Sequence, residues 1–173
     1  MQVVDRDGQR LAGYRKAHLY GDLDRATFVP GDVGVVQFRT EGIVLGLLIC
    51  YDVEFPEAAR AHALAGTDLL VVPTGLMDPY GTVSTLLVPA RALENQMFVA
   101  YVNRTGREGE YTYCGASCLI GPDGSELARA GRGEELLLAD VDPAALRASR
   151  TTNTYLSDRR PDLYAAPAAH TSP

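Results

Sequence analysis

The stretch GLLICYDVEFPE, residues 46–57, decides the fold. Its first half belongs to the apolar run GIVLGLLIC, residues 42–50, and such a run is typical of a β-strand buried on both faces. Residues 52–66 then space their apolar side chains for one buried face of a helix. Cys50 stands where the strand gives way to the helix, and an α/β fold exposes nucleophiles at this kind of junction. The stretch predicts an α/β fold, with Cys50 either a reactive thiol or a packing residue.

Further strands and helices are predicted on the C-terminal side of this stretch. They are a buried strand at residues 68–73, a helix at 83–96, a strand at 97–103, a strand at 115–120 before the turn Gly121-Pro122-Asp123-Gly124, a strand at 135–141 that closes the sheet, and a short helix at 142–146 that begins with Asp142 and Pro143. Strands that alternate with helices and then dominate are typical of a layered α/β sandwich.

The N-terminal side predicts a β-hairpin. Residues 3–14, VVDRDGQRLAGY, contain two short apolar segments around a turn at Gly8, and residues 33–38 predict another strand. The hairpin would place an inner strand of a sheet at the beginning of the chain, with no preceding segment to pair beside it. We therefore expect that a segment upstream is missing.

The composition excludes several classes of protein. The 173 residues are 46% hydrophobic and 22% charged, which is typical of a globular chain. The formal net charge of -6 would repel a phosphate backbone, so nucleic acid is not an expected partner. Because no apolar run approaches the ~20 residues of a membrane span, and no basic and apolar leader opens the chain, we expect a cytoplasmic protein without a membrane partner. Three cysteines, an odd number, favour free thiols in a reducing compartment.

Several motifs occur in one order along nearly the whole chain. They are YRKAHLYGDLDRATFVPGD (residues 14–32), LLICYDVEFPEAAR (47–60), LLVVPTG (69–75), RALENQMFVAYVNRTG (91–106), YCGAS (113–117), PDG (122–124) and YLSDRRPDLY (155–164). With these motifs the chain resembles the nitrilase, or carbon-nitrogen hydrolase, superfamily. Within that superfamily it looks closest to amidases that act on short aliphatic amides, such as 5-aminopentanamidases and stereoselective amino-acid amidases.

The resemblance implies a nitrilase-type αββα sandwich and a Glu-Lys-Cys catalytic triad. The cysteine corresponds to Cys50, which attacks the amide carbon, releases ammonia and forms a thioester that water hydrolyses to the acid. The lysine corresponds to Lys16, whose ammonium would stabilise the oxyanion beside the backbone N–H of Tyr51. A second acid of the family corresponds to Asp24, which is one methylene shorter than the glutamate of many relatives.

The glutamate of the triad, its general base, has no counterpart in this sequence. In the family it lies well upstream of the lysine, whereas only fifteen residues precede Lys16. Since general-base catalysis typically contributes about 10²–10⁴-fold, the resemblance implies an impaired enzyme that lacks the N-terminal part of the family fold. Glu54 and Glu57 are alternative bases, although acidic side chains at a helix N-terminus also stabilise the helix. Glu94 is expected to make a buried ion pair that orients its helix.

Four residues are candidates for binding the oxyanion or the substrate. They are Tyr51, Glu54, Thr74 and Tyr80. The last two follow the buried strand at 68–73, at the end of the sheet where α/β proteins form their substrate pockets.

The remaining reactive side chains favour structural roles. His18 could activate Cys50, since histidine is the commonest activating base, but in the family it supports the lysine. Cys114 and Cys118 would share one face of a strand. Without the histidines of a zinc site, they are expected to be buried and inert.

Two functions remain open from the sequence. The first is hydrolysis of a small linear amide to a carboxylic acid and ammonia by one carbon-nitrogen hydrolase domain, residues 1–164, with a flexible tail at 165–173. The second is a non-catalytic remnant that acts as a binding or oligomerising module through exposed sheet edges. The resemblance implies no cofactor and no metal, and it implies a homodimer or higher homo-oligomer.

Overall fold

The computed structural model describes residues 1–164. Its strands are β1 Gln2–Val4, β2 Arg10–Gly13, β3 Gln37–Thr40, β4 Ile43–Leu47, β5 Leu69–Thr74, β6 Phe98–Asn103, β7 Thr105–Glu108, β8 Tyr111–Cys114, β9 Cys118–Ile120 and β10 Glu126–Arg129. Its α-helices are α1 Gly21–Thr27, α2 Pro56–Leu64, α3 Val88–Asn95 and α4 Pro143–Thr152. The tail expected at residues 165–173 lies outside the described residues.

A six-stranded mixed sheet forms the centre of the fold, in the order β10-β9-β6-β5-β4-β3. The central strands β4, β5 and β6 run parallel, and antiparallel strands flank them on both sides. The central strands coincide with the predicted apolar runs, because strands inside a sheet covered by helices are apolar on both faces. The expected α/β class is confirmed.

The two faces of the sheet are covered to different extents. Leu70, Val72 and Val99 point to the face that carries the main core, where residues of α2 and α3 also lie. On the opposite face, Leu146 of α4 packs with Leu69 and Phe98. Further along the same face the sheet is uncovered, as the 54% exposure of Val102 shows.

Prolines and a capping side chain mark the first turns of α2 and α4. Residues Cys50–Glu54 form a 3-10 turn, so α2 begins at Pro56 instead of residue 52 as predicted. A proline is favoured in the first turn of a helix because its missing N–H has no partner there anyway. The predicted cap of α4 is present, since Asp142 Oδ1 accepts a hydrogen bond of 2.7 Å from the N–H of Ala144. None of the helices in this part of the chain is long and apolar enough to cross a membrane.

Three predicted strands differ from the structure. Residues 135–141 form no strand and pair with none of the described strands, and Leu136 and Leu138 are 82% and 83% exposed. The predicted hairpin is present, but β1 and β2 pair only with each other among the described strands, so β1 is not an inner strand of the main sheet. The strand predicted at 33–38 lies later, at β3.

Candidate active site

A cavity of about 690 Å³ follows the carboxyl ends of β4 and β5. Ligands of α/β proteins bind at this end of parallel strands. The residues that line the cavity are Lys16, Tyr20, Gly21, Asp22, Leu23, Asp24, Cys50, Tyr51, Glu54, Gly75, Leu76, Met77, Tyr80, Tyr111 and Tyr113.

Cys50 sits on a sharp turn between β4 and the 3-10 turn. Its φ of 50° lies in the left-handed region, which costs a residue other than glycine about 1–3 kcal/mol. The turn is held by two hydrogen bonds of 3.1 Å, from the N–H of Asp52 to the Ile49 carbonyl and from the N–H of Ile49 to Asp52 Oδ2. A strained strand-to-helix turn that presents a side chain to a cavity is a common way to expose a nucleophile.

Lys16 and Asp24 form an ion pair on the wall of the same cavity. Lys16 Nζ lies 2.5 Å from Asp24 Oδ2, and that oxygen also accepts the N–H of Tyr20 at 3.0 Å. Burial opposes ionisation of Asp24, but these two hydrogen bonds and the charge of Lys16 lower its pKa on balance. The pair holds the ammonium on the cavity that Cys50 also lines.

The carboxylate of Asp52 joins the segment that carries Lys16 to the turn that carries Cys50. It is fully buried and accepts hydrogen bonds from the Tyr14 hydroxyl at 2.9 Å and from the N–H of His18 at 2.8 Å. The His18 ring nitrogen Nδ1 lies at the same distance, 2.8 Å. Because Tyr14 and His18 lie two residues before and two residues after Lys16, this carboxylate ties the segment that carries Lys16 to the turn that carries Cys50.

A second anchor reaches the turn from α3. Arg91 donates from Nε to the Val53 carbonyl at 3.0 Å and from Nη2 to the Glu54 carbonyl at 2.7 Å. Its Nη1 donates to Glu94 at 3.0 Å. These carbonyls end the 3-10 turn, where backbone acceptors lack partners within the turn itself.

Glu54 and three tyrosines form the polar and aromatic side of the cavity. The ring centroids of Tyr20 and Tyr51 are 5.2 Å apart, and those of Tyr20 and Tyr80 are 6.2 Å apart, both edge to face. Burial raises the pKa of Glu54, although the charges of Arg91 and Lys16 oppose the shift. The cavity therefore combines the Lys16–Asp24 ion pair, two further carboxylates, on Asp22 and Glu54, and several phenol rings.

The opposite wall comes from the hairpin of β7 and β8. Tyr113 on β8 pairs with Met77 of the loop after β5, and the N–H of Asp78 donates to the Thr112 carbonyl at 2.9 Å. The guanidinium of Arg104 lies 4.8 Å from the centroid of the Tyr113 ring. These contacts hold two tyrosines, Tyr111 and Tyr113, over the cavity.

A comparison with known protein families identifies the family of this chain. A model of the carbon-nitrogen hydrolase family matches residues 1–151. The chain belongs to the carbon-nitrogen hydrolase family.

Several known carbon-nitrogen hydrolases are similar to it. The hydrolase in the pqqF 5' region of Pseudomonas protegens is 49% identical over 164 residues, which cover 95% of this chain and 58% of the relative. An (R)-stereoselective amidase of Pseudomonas sp. is 42% identical over 151 residues, which cover 85% of this chain and 53% of the relative. A cysteine-to-alanine mutant of the amidase from Nesterenkonia sp. AN1, in complex with butyramide, matches with a TM-score of 0.84 at 40% identity. The match covers 94% of this chain and 59% of that one, so the chain spans little more than half the length of these relatives.

Most of the candidate site residues singled out in the sequence lie together. The cavity collects Lys16, Asp24, Cys50, Tyr51, Glu54 and Tyr80. Thr74 does not line it, because its hydroxyl donates to the Tyr101 hydroxyl at 3.2 Å. Glu57 is exposed on α2 and does not line the cavity.

The residues expected to be structural have identifiable partners. The His18 ring stacks on Phe55 at 3.9 Å besides contacting Asp52. The ion pair of Glu94 is with Arg91 of the same helix, and the Glu94 side chain is 36% exposed instead of buried. Cys114 ends β8 and Cys118 begins β9, so the expectation that they share one strand face is wrong. Both thiols are buried and free, and burial raises the pKa of each.

Sequence reasoning missed Asp52 and the tyrosines of the hairpin. A charged residue directly after an apolar strand end is a usable signal for Asp52, since a buried carboxylate requires partners. Tyr111 and Tyr113 gave no local signal, because only the docking of the hairpin brings them to the cavity.

Proposed function

We propose that the chain hydrolyses a small linear amide to a carboxylic acid and ammonia through a thioester on Cys50. The observation that carries the proposal is the strained turn that presents Cys50 to a cavity shared with the Lys16–Asp24 pair. The amidases among the similar proteins support the same reaction.

The reaction proceeds in two balanced steps. First, Cys50 Sγ bonds to the amide carbon, a carboxylate base takes the thiol proton and passes it to the nitrogen, and ammonia leaves. The Lys16 ammonium and the N–H of Tyr51 stabilise the negative oxygen of the tetrahedral intermediate. Water then adds to the thioester carbon, a proton returns to sulfur, and the carboxylic acid leaves.

The proposal includes a lowered rate for this chain. The resemblance places the general base upstream of Lys16, and residues 1–15 contain no glutamate. Asp24 is a poor substitute, because its lowered pKa weakens it as a proton acceptor.

Ammonia release from acetamide, butanamide and pentanamide tests the proposal. The 173-residue chain is compared with Cys50→Ala and with Cys118→Ala, which removes a buried thiol away from the cavity. We expect slow release that Cys50→Ala abolishes and Cys118→Ala retains. Equal release by the chain and Cys50→Ala would overturn the proposal.

A second candidate function is that of a binding or oligomerising module without catalysis. Val102 on the uncovered part of the sheet face, and Leu136 and Leu138 in a segment outside the sheet, are more than half exposed, which favours it. Folded protein that releases no ammonia but associates with itself would support this candidate over the first.

A further inference from the structure

Arg60 on α2 carries a half-buried guanidinium that has no acceptor in the described part of the chain. Among residues 1–164 no hydrogen bond or ion pair reaches its side chain, and its Nη1 atom is buried without a partner. Glu57 lies three residues earlier on the same helix, at a spacing that permits an ion pair, but within these residues the two side chains form none. A buried guanidinium without an acceptor costs free energy that a bound anion would recover.

A second guanidinium lies close to the first. Arg159 belongs to the segment after α4, and its Cζ atom lies 5.6 Å from the centroid of the Tyr164 ring. Burial lowers the pKa of Arg60, the charge of Glu94 opposes this shift, and the positive charge of Arg159 adds to it, so the two cations act on each other. Both stay charged, since arginine does not lose its proton in proteins. An oxyanion between them would replace this repulsion by attraction.

The two arginines line a cleft between α2, α3 and the segment after α4. The cleft consists of two adjoining cavities, of about 470 Å³ and 450 Å³, and both are lined by Arg60, Glu94, Arg159 and Tyr164. We call it the arginine cleft. It shares no lining residue with the cavity that Cys50 lines. There is therefore space for a small ligand beside both guanidiniums, away from the candidate active site.

The carboxylates around the arginine cleft leave its shared part positive. Glu94 is engaged with Arg91 at 3.0 Å, and Asp158 accepts a hydrogen bond of 2.5 Å from the Thr154 hydroxyl. Asp158 lines only the first cavity and Glu57 only the second. The residues that both cavities share therefore carry two guanidiniums against one carboxylate, and that carboxylate already has a cation of its own.

We propose that the arginine cleft binds a small oxyanion, a phosphate or a carboxylate group, between Arg60 and Arg159, with the Tyr164 hydroxyl as a further donor. This hydroxyl accepts the N–H of Arg160 at 3.4 Å, which leaves its own proton for the ligand. Guanidiniums suit phosphates and carboxylates because two N–H groups match two oxygens of the ligand. The site is separate from Cys50, so the inference goes beyond the proposed hydrolysis and does not depend on it.

Titration with inorganic phosphate and with acetate tests the site. Thermal unfolding of the 173-residue chain is followed at constant pH, with chloride at equal ionic strength as the reference. Low millimolar concentrations keep the general stabilising effect of such salts small. We expect a saturable rise in the unfolding temperature, because the anion binds the folded chain and not the unfolded one. A rise with phosphate alone assigns the site to phosphate groups, and a rise with both anions includes carboxylates. The same response to chloride, or no response to any anion, would overturn the inference.

Two variants and a matched control locate the anion. Arg60→Gln and Arg159→Gln each remove one charge-assisted contact, so the dissociation constant for phosphate should rise about 10- to 100-fold. Arg160→Gln changes the next arginine along the chain, which pairs with Asp162 at 2.6 Å and lines neither cavity. It should leave the dissociation constant unchanged. Equal losses of affinity in all three variants would indicate attraction to positive charge in general and overturn the assignment.

The stability of Arg60→Met separates anion binding from a structural role. In a buffer without phosphate or carboxylates, the loss of an unpartnered buried charge should leave the unfolding temperature unchanged or raise it. The rise that phosphate causes in the original chain should be absent from the variant. A variant that is less stable than the original chain in the anion-free buffer would show that Arg60 has a partner within the chain, and it would overturn the inference.

Discussion

At the scale of the residue, Asp52 and His62 are the buried polar groups with the clearest consequences. Asp52 is tolerated inside the protein because several donors replace the water it loses. His62 on α2 is also fully buried, but only Nδ1 has a partner, Thr67 Oγ1 at 3.1 Å. In the described part of the chain its Nε2 is buried without a hydrogen bond.

Replacing Asp52 should weaken both the fold and the site. Asp52→Asn turns one acceptor into a donor that faces the donors of Tyr14 or Ile49. We expect the free energy of unfolding in urea to fall by about 1–3 kcal/mol and ammonia release to fall with it. Asp32→Asn, at an exposed ion pair with Arg15, should leave the free energy of unfolding nearly unchanged. Equal losses in the two variants would contradict the role of Asp52 as the link between Lys16 and Cys50.

Acid should destabilise the protein through His62. Burial lowers the pKa of His62 from 6.5 to about 4, so between these values the unfolded chain binds more protons than the folded one. The contribution is complete above pH 6.5 and is lost as the pH falls, by up to about 3 kcal/mol at pH 4. Unfolding free energies measured across this range should fall less steeply for His62→Asn than for the original chain. Parallel pH profiles would show that His62 does not carry the effect.

At the scale of the element, α3 and the turn that carries Cys50 are joined into one unit. Arg91 extends from α3 to two successive carbonyls of the turn, and the planar guanidinium suits that arrangement because its donors are fixed relative to each other. The position of Cys50 therefore depends on a helix that contributes no residue to the cavity lining.

A lysine cannot replace this arginine. Arg91→Lys supplies one ammonium where two directed N–H groups are needed, so we expect an unfolding free energy lower by about 1–3 kcal/mol and slower ammonia release. Glu94→Gln is the control, because it removes the ion pair on the surface of α3 and keeps both bonds to the turn. A larger loss in the control would mean that the ion pair, and not the carbonyl contacts, holds the turn.

The N-terminus of α4 offers a separate test of a predicted cap. Asp142→Ala removes the acceptor for the N–H of Ala144, and thermal unfolding should show a loss of about 1 kcal/mol. Asp140→Ala changes an exposed carboxylate two residues earlier and should have little effect. Similar losses of stability in the two variants would indicate a general effect of negative charge and contradict the role of Asp142 as a cap.

Strands and helices could be predicted from the sequence where neighbouring residues alone determine them. The runs that became β5 and β6 are apolar up to their last residue, and the Asp142-Pro143 pair marks the start of a helix. Leu136 and Leu138 misled the prediction, because a short apolar run does not reveal whether a neighbouring strand is available. Tyr111 could not be assigned to the site for a similar reason, since its role depends on how a hairpin docks.

At the scale of the whole molecule, the sheet is covered fully on one face and partly on the other. The main core fills the first face, while the second has Leu146 at one end and exposed apolar side chains at the other. Exposed apolar surface of this kind promotes association. The expected homo-oligomer stays a prediction.

Sedimentation across a wide range of concentration measures that association. We expect the chain to associate and Val102→Glu to reduce the association, because the charge would lie on the uncovered face. Leu163→Glu places the same charge on another exposed leucine, beyond α4, and should leave association unchanged. A chain that stays monomeric throughout, or equal effects of the two variants, would contradict the prediction.

The hairpin of β7 and β8 has a consequence for how the protein can diversify. It is a small sheet of its own, joined to the main sheet through the loop after β5, and it supplies one wall of the cavity. Asp52 and Arg91, which hold the turn that carries Cys50, lie outside the hairpin. Mutations in the hairpin can therefore change which molecules fit the cavity, while the turn that carries Cys50 keeps its geometry. Related chains could therefore diverge in the ligands they accept while they keep the same arrangement around Cys50.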